Sequence, residues 1–323
     1  MRFVLLSTLM LFGLPTWAQF APAAGKPGST ALKHDSGCFI NWASVCRVER
    51  GYRDISKPDS GFVTAGTELS ATGPALQNGV LSLGDGGRAV LEFPSPIVDG
   101  TGWDFAVFEN TFLDTFLELA FVEVSTDGKR FVRFPASSLS DTQTQTGAFG
   151  YTRPEKVNNL AGKYISGYGT PFDLGELKDS AGIDIDNIRF VRVVDVVGSL
   201  NDKYATRDAV GRKINDPWPT RFASGGFDLD AVGVIHQKWP LGVDVKEQKD
   251  GGLVYPNPVE NGIMNVQSAE QGLLFLYDLS GREIAQFNIQ KGKNRLDLSI
   301  PTGMYFVVME CNSVFYKKTV VFR

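Results

Sequence analysis

"GGFDLDAVGVIH", Gly225 to His236, is the run on which the fold of this chain turns. Side chains alternate along a regular strand, so Phe227, Leu229, Ala231, Gly233 and Ile235 are expected on one face. Asp228, Asp230, Val232 and Val234 then take the other. Both faces are largely apolar, the pattern of a core strand in a β-sandwich, yet one face begins with two carboxylates. A buried carboxylate without a partner is costly, so both aspartates require one.

The rest of the chain repeats the same punctuation. Short apolar runs stand between Gly, Asn, Asp and Pro clusters, and there are 35 glycines, which together predict an all-β protein. "GVLSLGDGGRAVLEF" predicts strands at Val80–Leu83 and Arg88–Phe93 joined by the turn Asp85-Gly86-Gly87. "AFVEVSTDGKRFVRFP" predicts a hairpin, Phe121–Ser125 with Arg130–Phe134, closed at Asp127-Gly128. "WDFAVFEN" and "NIRFVRVVDV" supply further core strands, while Ser137 to about Tyr164 lacks periodicity and reads as loop.

With 323 residues, the chain has room for more than one domain. "MRFVLLSTLMLFGLPTWAQF" has a signal-peptide layout: Arg2, an apolar run from Phe3 to Leu14, and a Thr16-Trp17-Ala18 cleavage site. No later run is long and apolar enough to predict a transmembrane helix in the mature chain. The layout read from this is a signal peptide at 1–18, a flexible lead-in at 19–35, and a jelly-roll β-sandwich at 36–236. A polar linker at 237–252 and a small Ig-like β-sandwich at 253–323 complete it.

Composition excludes several function classes. A net charge of −4 gives no reason to expect nucleic acid or an anionic membrane. Only 2 histidines are present, which argues against a histidine-built zinc site or a serine–histidine triad. No G-x-S-x-G, H-E-x-x-H or Walker loop appears. Cys38 and Cys46 enclose "CFINWASVC" and are candidates for a local disulfide in an oxidising compartment, against the alternative of free thiols. Cys311 lies in the second domain.

"VYPNPVENG", "LYDLSGREI", "IPTGMYFVVM" and the terminal "YKKTVVFR" occur in that order across Leu253–Arg323. This unit resembles the type A C-terminal sorting domain of proteins exported by the type IX secretion system of Bacteroidetes. Pro256, Asn257, Pro258, Gly281, Arg282, Gly303 and Tyr305 carry the resemblance. It implies passage across the outer membrane, recognition by the secretion machinery and its sortase, removal of the domain, and attachment or release at the outer cell surface. The "strand, S-x-D-G, strand" hairpin at Phe121–Pro135, with "IRFVRVVDV" and "GFDLDAVGVI", resembles galactose-binding-like and discoidin-like jelly rolls. "LSLGDGGRAVLEF", "DFAVFEN" and "GTPFDL" further resemble a group of bacterial cell-surface proteins. The resemblance implies a fold, a frequent structural calcium, and no set activity.

"GWDFAVFEN" ends its apolar run in Glu109-Asn110, while "GGFDLDA" enters its strand through Asp228 and Asp230. Antiparallel pairing would bring these four to one rim, and calcium takes such oxygen ligands. The rival reading is that the aspartates cap loop amides or pair with Arg189, Arg192 or Arg221. The long loop Val196–Gly226 holds Trp218, Tyr204, Asn215, Asp216 and Arg221, and Tyr164 and Tyr168 flank another glycine-rich loop. Aromatics beside amides and charges suit a glycan or a flat nutrient such as cobalamin, passed on to an outer-membrane transporter. Alternatively, Trp218 plugs the sandwich end. The expected function is a non-catalytic surface binding protein, with calcium as cofactor. A structural or adhesive protein is the second reading, and a glycoside hydrolase using a pair such as Glu109 and Asp228 the third.

Overall fold

The computed structural model describes residues 20–238, 252–278, 282–311 and 314–323. The expected signal peptide, most of the linker and Gly281 lie outside the described residues. The chain divides into two compact units, Met1–Lys238 and Trp239–Arg323.

In the first unit the strands are β1 (Leu32–Lys33), β2 (Asn41–Trp42), β3 (Val45–Glu49), β4 (Leu81–Ser82), β5 (Arg88–Ile97), β6 (Phe105–Glu109) and β7 (Ala120–Ser125). They continue as β8 (Val132–Arg133), β9 (Ser137–Ser138), β10 (Val157–Asn158), β11 (Tyr168–Phe172), β12 (Ile188–Asp195) and β13 (Asp228–Val234). One sheet runs β1-β11-β6-β13-β2 with β4 also on β13; the other runs β3-β5-β12-β7-β8. From β5 to β7, and again from β11 to β13, each strand lies in the opposite sheet to the one before. The result is an antiparallel β-sandwich.

Its core is built from the inward residues of both sheets, among them Leu91, Phe105, Val107, Val122, Val191, Phe227, Leu229 and Val232. Phe105 stacks on Phe172 at 5.4 Å and 15°. Each fully buried side chain of this size contributes roughly 1.5–3 kcal/mol.

The β7–β8 hairpin forms where the sequence predicts it, with Glu123 opposite Arg133. Its turn is fixed by Asp127, whose Oδ1 accepts from the Lys129 and Arg130 amides, both at 2.9 Å, and by Gly128 at φ 72°. The other expected hairpin does not form. β4 joins β13 while β5 joins β12, so Asp85-Gly86-Gly87 carries the chain between sheets instead of closing a hairpin.

The expected Cys38–Cys46 disulfide is absent, and both thiols are free. Cys46 sits on β3 with its side chain in the core, whereas Cys38 lies in the turn before β2, which belongs to the opposite sheet. Burial pushes the Cys46 thiol up to about 12.

The second unit contains β14 (Gly252–Tyr255), β15 (Ile263–Ser268), β16 (Gly272–Tyr277), β17 (Glu283–Ile289), β18 (Gly292–Asp297), β19 (Gly303–Cys311) and β20 (Val314–Phe322). They form a sheet β14-β15-β18 and a sheet β17-β16-β19-β20 around a separate core that includes Val266, Leu274, Val307 and Phe322. The Pro256-Asn257-Pro258 motif has a local physical role. Asn257 accepts from the Val321 amide at 2.9 Å and donates to the Thr319 carbonyl at 3.0 Å, fastening the motif to β20. Tyr305 donates to the Pro301 carbonyl at 2.9 Å. Arg282 pairs with Asp278 at 3.2 Å. Gly303 opens β19 opposite Phe322.

Candidate functional site at the acidic rim

β6 and β13 are antiparallel neighbours, but their register shifts between Leu229 and Ala231. Leu229 stands opposite Glu109 and Ala231 opposite Phe108, so Asp230 is the extra residue of a β-bulge. The bulge breaks the expected alternation. Phe227, Leu229, Val232 and Val234 all enter the main core, whereas Ala231 packs with Ala106 and Phe108 in a separate cluster. The two aspartates therefore do not share a face with Val232 and Val234. Asp228 accepts from the Ser82 hydroxyl on β4. Both Asp230 oxygens accept from the Leu76 amide at 3.1 Å, a residue held at φ 67°.

Neither aspartate pairs with the arginines considered from sequence. Arg192 pairs with Glu123, Arg221 with Asp54 at 2.8 Å, and no ion pair involves Arg189 among the described residues. Amide capping is the role the structure gives Asp230.

The ends of β6 and β12 and the starts of β5, β7 and β13 meet at this rim. Strand ends leave amides without ladder partners, and carboxylates take them up. Asp195, closing β12, accepts from the Phe227 amide at 2.8 Å and the Gly86 amide at 3.0 Å, tying both sheets together. Asp85 accepts from the Ile55 amide at 2.8 Å and from Trp218 Nε1 at 3.0 Å. Asp216 accepts from the Leu119 amide at 3.2 Å. Glu109 accepts from the Thr111 amide at 2.8 Å through Oε2.

Burial dominates the electrostatics here. It raises Asp195 to about 8 and Asp85, Asp228 and Asp230 each to about 6. Glu109, Glu118 and Asp216 lie well above the ordinary carboxylate range, from burial first and then from neighbouring carboxylates. Glu118 sits between Leu117 and Leu119 and is itself buried. Arg50, whose charge favours the ionised form of Asp228, already donates to the carbonyls of Ala65, Gly66 and Ser82.

The expected calcium set of Glu109, Asn110, Asp228 and Asp230 is not assembled as one cradle. Among the described residues, the acidic group whose ligand oxygens all lie within 4.8 Å of one another is Asp99, Asp104 and Asp173, at the opposite end of β6. Asp104 is already satisfied there by the Gly100 amide, the Leu174 amide and His236 Nδ1, at 2.7–2.8 Å. The bulge explains the difference at the rim: it aims Asp230 at Leu76 and leaves Glu109 opposite Leu229 on the core face.

The residues expected to face a ligand divide into two kinds. Asn215, Asp216 and Tyr164 are buried. Asn215 binds the neighbouring loop, accepting from the Thr146 amide at 2.9 Å and donating to the Thr144 carbonyl at 2.7 Å. Tyr164 bonds Thr30 Oγ1 at 2.7 Å. Trp218 and Tyr204 are half-buried with ring centroids 6.3 Å apart, and the Trp218 amide donates to the Thr146 carbonyl at 3.0 Å. Arg221 is half-exposed, and Tyr168 lies on β11 opposite Lys33.

The exposed aromatic surface comes from residues the sequence reading passed over. Phe149 is 72% exposed, Phe112 82%, Tyr151 68% and Phe222 47%. Phe149 lies between Phe116 at 6.4 Å and Phe222 at 5.6 Å, linking three loops. Phe149 and Tyr151 sit in the unpatterned segment Ser137–Tyr164, where single aromatics carry no periodic signal. Asp195 did carry one. It closes an apolar strand with an acid, as Glu109 does.

Residues 253–323 match the secretion system C-terminal sorting domain. The chain is thus marked by type IX secretion for export to the cell surface or secretion. No helix among the described residues is long and apolar enough to cross a membrane. No curated protein matches the chain. Solved structures with a partial likeness include a Ruminococcus gnavus β-glucuronidase, at 11% identity and TM-score 0.23 over 87% of this chain and 43% of that one. PorZ, a surface component of the type IX secretion system of Porphyromonas gingivalis, aligns at 10% identity and TM-score 0.21, over 82% and 41%. The BSP domain of a biofilm-associated protein aligns at 9% and 0.20, over 73% and 48%. The chain spans less than half the length of each, and scores this low carry no structural argument.

Proposed function

We propose that the first unit of this exported chain is a non-catalytic binding module for a surface or environmental glycan. The observation that carries the reading is the exposed pair Phe149 and Phe222, whose rings lie 5.6 Å apart, with Phe112 and Tyr151 exposed on the same loops. Loops that leave large rings in water are costly unless a partner covers them, and contiguous apolar patches mark interaction sites. Sugar rings offer C–H faces that stack on aromatics, and the loop carbonyls and hydroxyls around them supply directional hydrogen bonds.

The loops are held from beneath. Asn215 fastens residues 144–146, and Asp85 holds the Trp218 indole. A surface fixed before the ligand arrives loses less entropy on binding. Burial weighs against the hydrolase reading: Glu109 is 1% and Asp228 7% exposed, so a glycosidic oxygen has no open approach to either.

Retention of the full chain on a panel of insoluble polysaccharides and a glycan array tests the proposal. A Phe149→Ala/Phe222→Ala variant is expected to lose at least about tenfold in affinity, the order of two lost stacking contacts. Its melting temperature should stay close to that of the parent, because both rings are exposed. Equal retention by parent and variant would contradict the assignment of the surface.

A further inference from the structure

Two long loops of the first unit share a cavity of about 320 Å³, lined by Ser138, Leu139, Ser140, Thr142, Arg212 and Lys213. Ligand pockets run from roughly 300 to 1,000 Å³, so this one suits a small group. Among the described residues no carboxylate lines it. Arg212 is aimed by the buried Asp208, whose Oδ2 accepts from its Nε at 2.8 Å and pairs with its Nη2 at 2.7 Å. Asp208 is itself fixed by the Ser138, Val210 and Arg212 amides at 2.9–3.1 Å. Arg212 Nη1 is left without an acceptor among the described residues. Lys213 donates to the Leu200 carbonyl at 2.7 Å and pairs with Asp202 at 2.9 Å, which leaves one ammonium proton unspent. The Ser138 and Ser140 hydroxyls share one hydrogen bond at 2.8 Å and otherwise accept from the amides of Ser140 and Asn215. One of their two protons is therefore free, as is the hydroxyl of the exposed Thr142.

We propose that this cavity holds the anionic substituent, a carboxylate or a sulfate ester, of an acidic glycan; the proposal rests on the glycan reading above and specifies its ligand class. The balance of donors decides the sign of the ligand. Arg212, Lys213, Thr142 and the serine pair all have protons to give, while the lining side chains offer only hydroxyl oxygens as acceptors. An oxyanion accepts and does not donate, so it matches that balance better than a neutral sugar hydroxyl. Bonds from a guanidinium or ammonium to an oxyanion are about twice as strong as neutral ones. The guanidinium plane is also held before the ligand arrives, which preserves its directional reach. The local charge agrees. Residues 201–213 carry Lys203, Arg207, Arg212 and Lys213 against Asp202 and Asp208, a basic stretch within a chain of net charge −4.

The same two loops carry Phe149 and Phe222. Asn215, two residues after Lys213, donates to the Asp141 carbonyl and accepts from the Thr146 amide, so it ties both sides of the cavity to the segment that leads to Phe149. An extended acidic glycan is thereby offered ring faces by one part of these loops and oxyanion donors by another. In this arrangement the rings supply contact area, and the cavity selects for charge.

The affinity of the full chain is measured for polygalacturonate against its methyl ester, and for dextran sulfate against dextran. Salt at about 0.15 M screens long-range attraction. One polyanion is expected to bind at least about tenfold more tightly than its neutral counterpart, the order of one charge-assisted contact. Which pair shows the preference tells carboxylate from sulfate ester. Arg212→Gln should abolish the preference, and Asp208 keeps its three backbone amides in that variant. Thr142→Val should reduce it about threefold with the melting temperature unchanged, because that side chain is exposed. A parent chain that prefers neither polyanion would overturn the proposal, as would a preference undiminished in Arg212→Gln. Equal affinity for charged and neutral polymers, lost in Phe149→Ala/Phe222→Ala, would remove the cavity and keep the aromatic surface. A preference lost in Arg212→Gln but untouched in the double phenylalanine variant would keep the cavity and remove the surface.

Discussion

Asp85 shows how a single buried carboxylate links stability to the candidate surface. The Ile55 amide and the Trp218 indole both donate to one of its oxygens, Oδ2. Burial raises its pKa to about 6, against about 3.9 in an unfolded chain. The folded state therefore prefers the protonated form. That preference contributes fully below about pH 4 and is lost as pH rises through 6, a swing of at most about 3 kcal/mol. Asp85→Asn keeps an oxygen for both donors and removes the titration. Its stability is expected to be flatter than the parent's between pH 4 and about 7, with the fluorescence of Trp218 unchanged. Urea unfolding across that range, followed by fluorescence, measures both. An undiminished slope in the variant would assign the dependence to other groups.

At the scale of elements, the loops matter more than the strands. Asn215 accepts from the Thr146 amide and Gln145 Nε2 and donates to the carbonyls of Asp141 and Thr144. Asn215→Ala leaves those buried groups without partners and should cost about 3 kcal/mol. It should also free the segment that leads to Phe149, so limited proteolysis is expected to cut between residues 141 and 151 faster than in the parent. Unchanged cleavage would mean that the loop is held elsewhere. The strands themselves were legible because their signals are local: the Asp127-Gly128 turn and the apolar runs of β6, β12 and β13 read directly from composition and spacing. The pairing of β6 with β13 followed from the same runs. The bulge at Asp230 was not legible, since a strict period of two assumes regular register and only the partner strand reveals the extra residue. The Cys38–Cys46 expectation failed for a related reason, because nearness in sequence said nothing about which sheet each cysteine joins. The exposed phenylalanines escaped because a loop aromatic acquires meaning only beside the others brought to it.

At the scale of the whole molecule, the two units divide the work. The second unit, a sandwich with its own core, is a sorting domain and sends the chain outward. The first unit then carries whatever activity the cell gains, and its chemistry is unevenly distributed: acids within the rim, aromatics on the loops outside it. A hydrolase would need those acids in contact with substrate, whereas a binding module needs them only as supports. The most direct test is to incubate the full chain with the glycan it retains most tightly and to follow reducing ends alongside equilibrium binding. Stable binding with no new reducing ends, abolished in Phe149→Ala/Phe222→Ala and retained in Glu109→Gln, is the result expected here. Release of reducing ends that disappears in Glu109→Gln would contradict the account and make the acidic rim a catalytic centre.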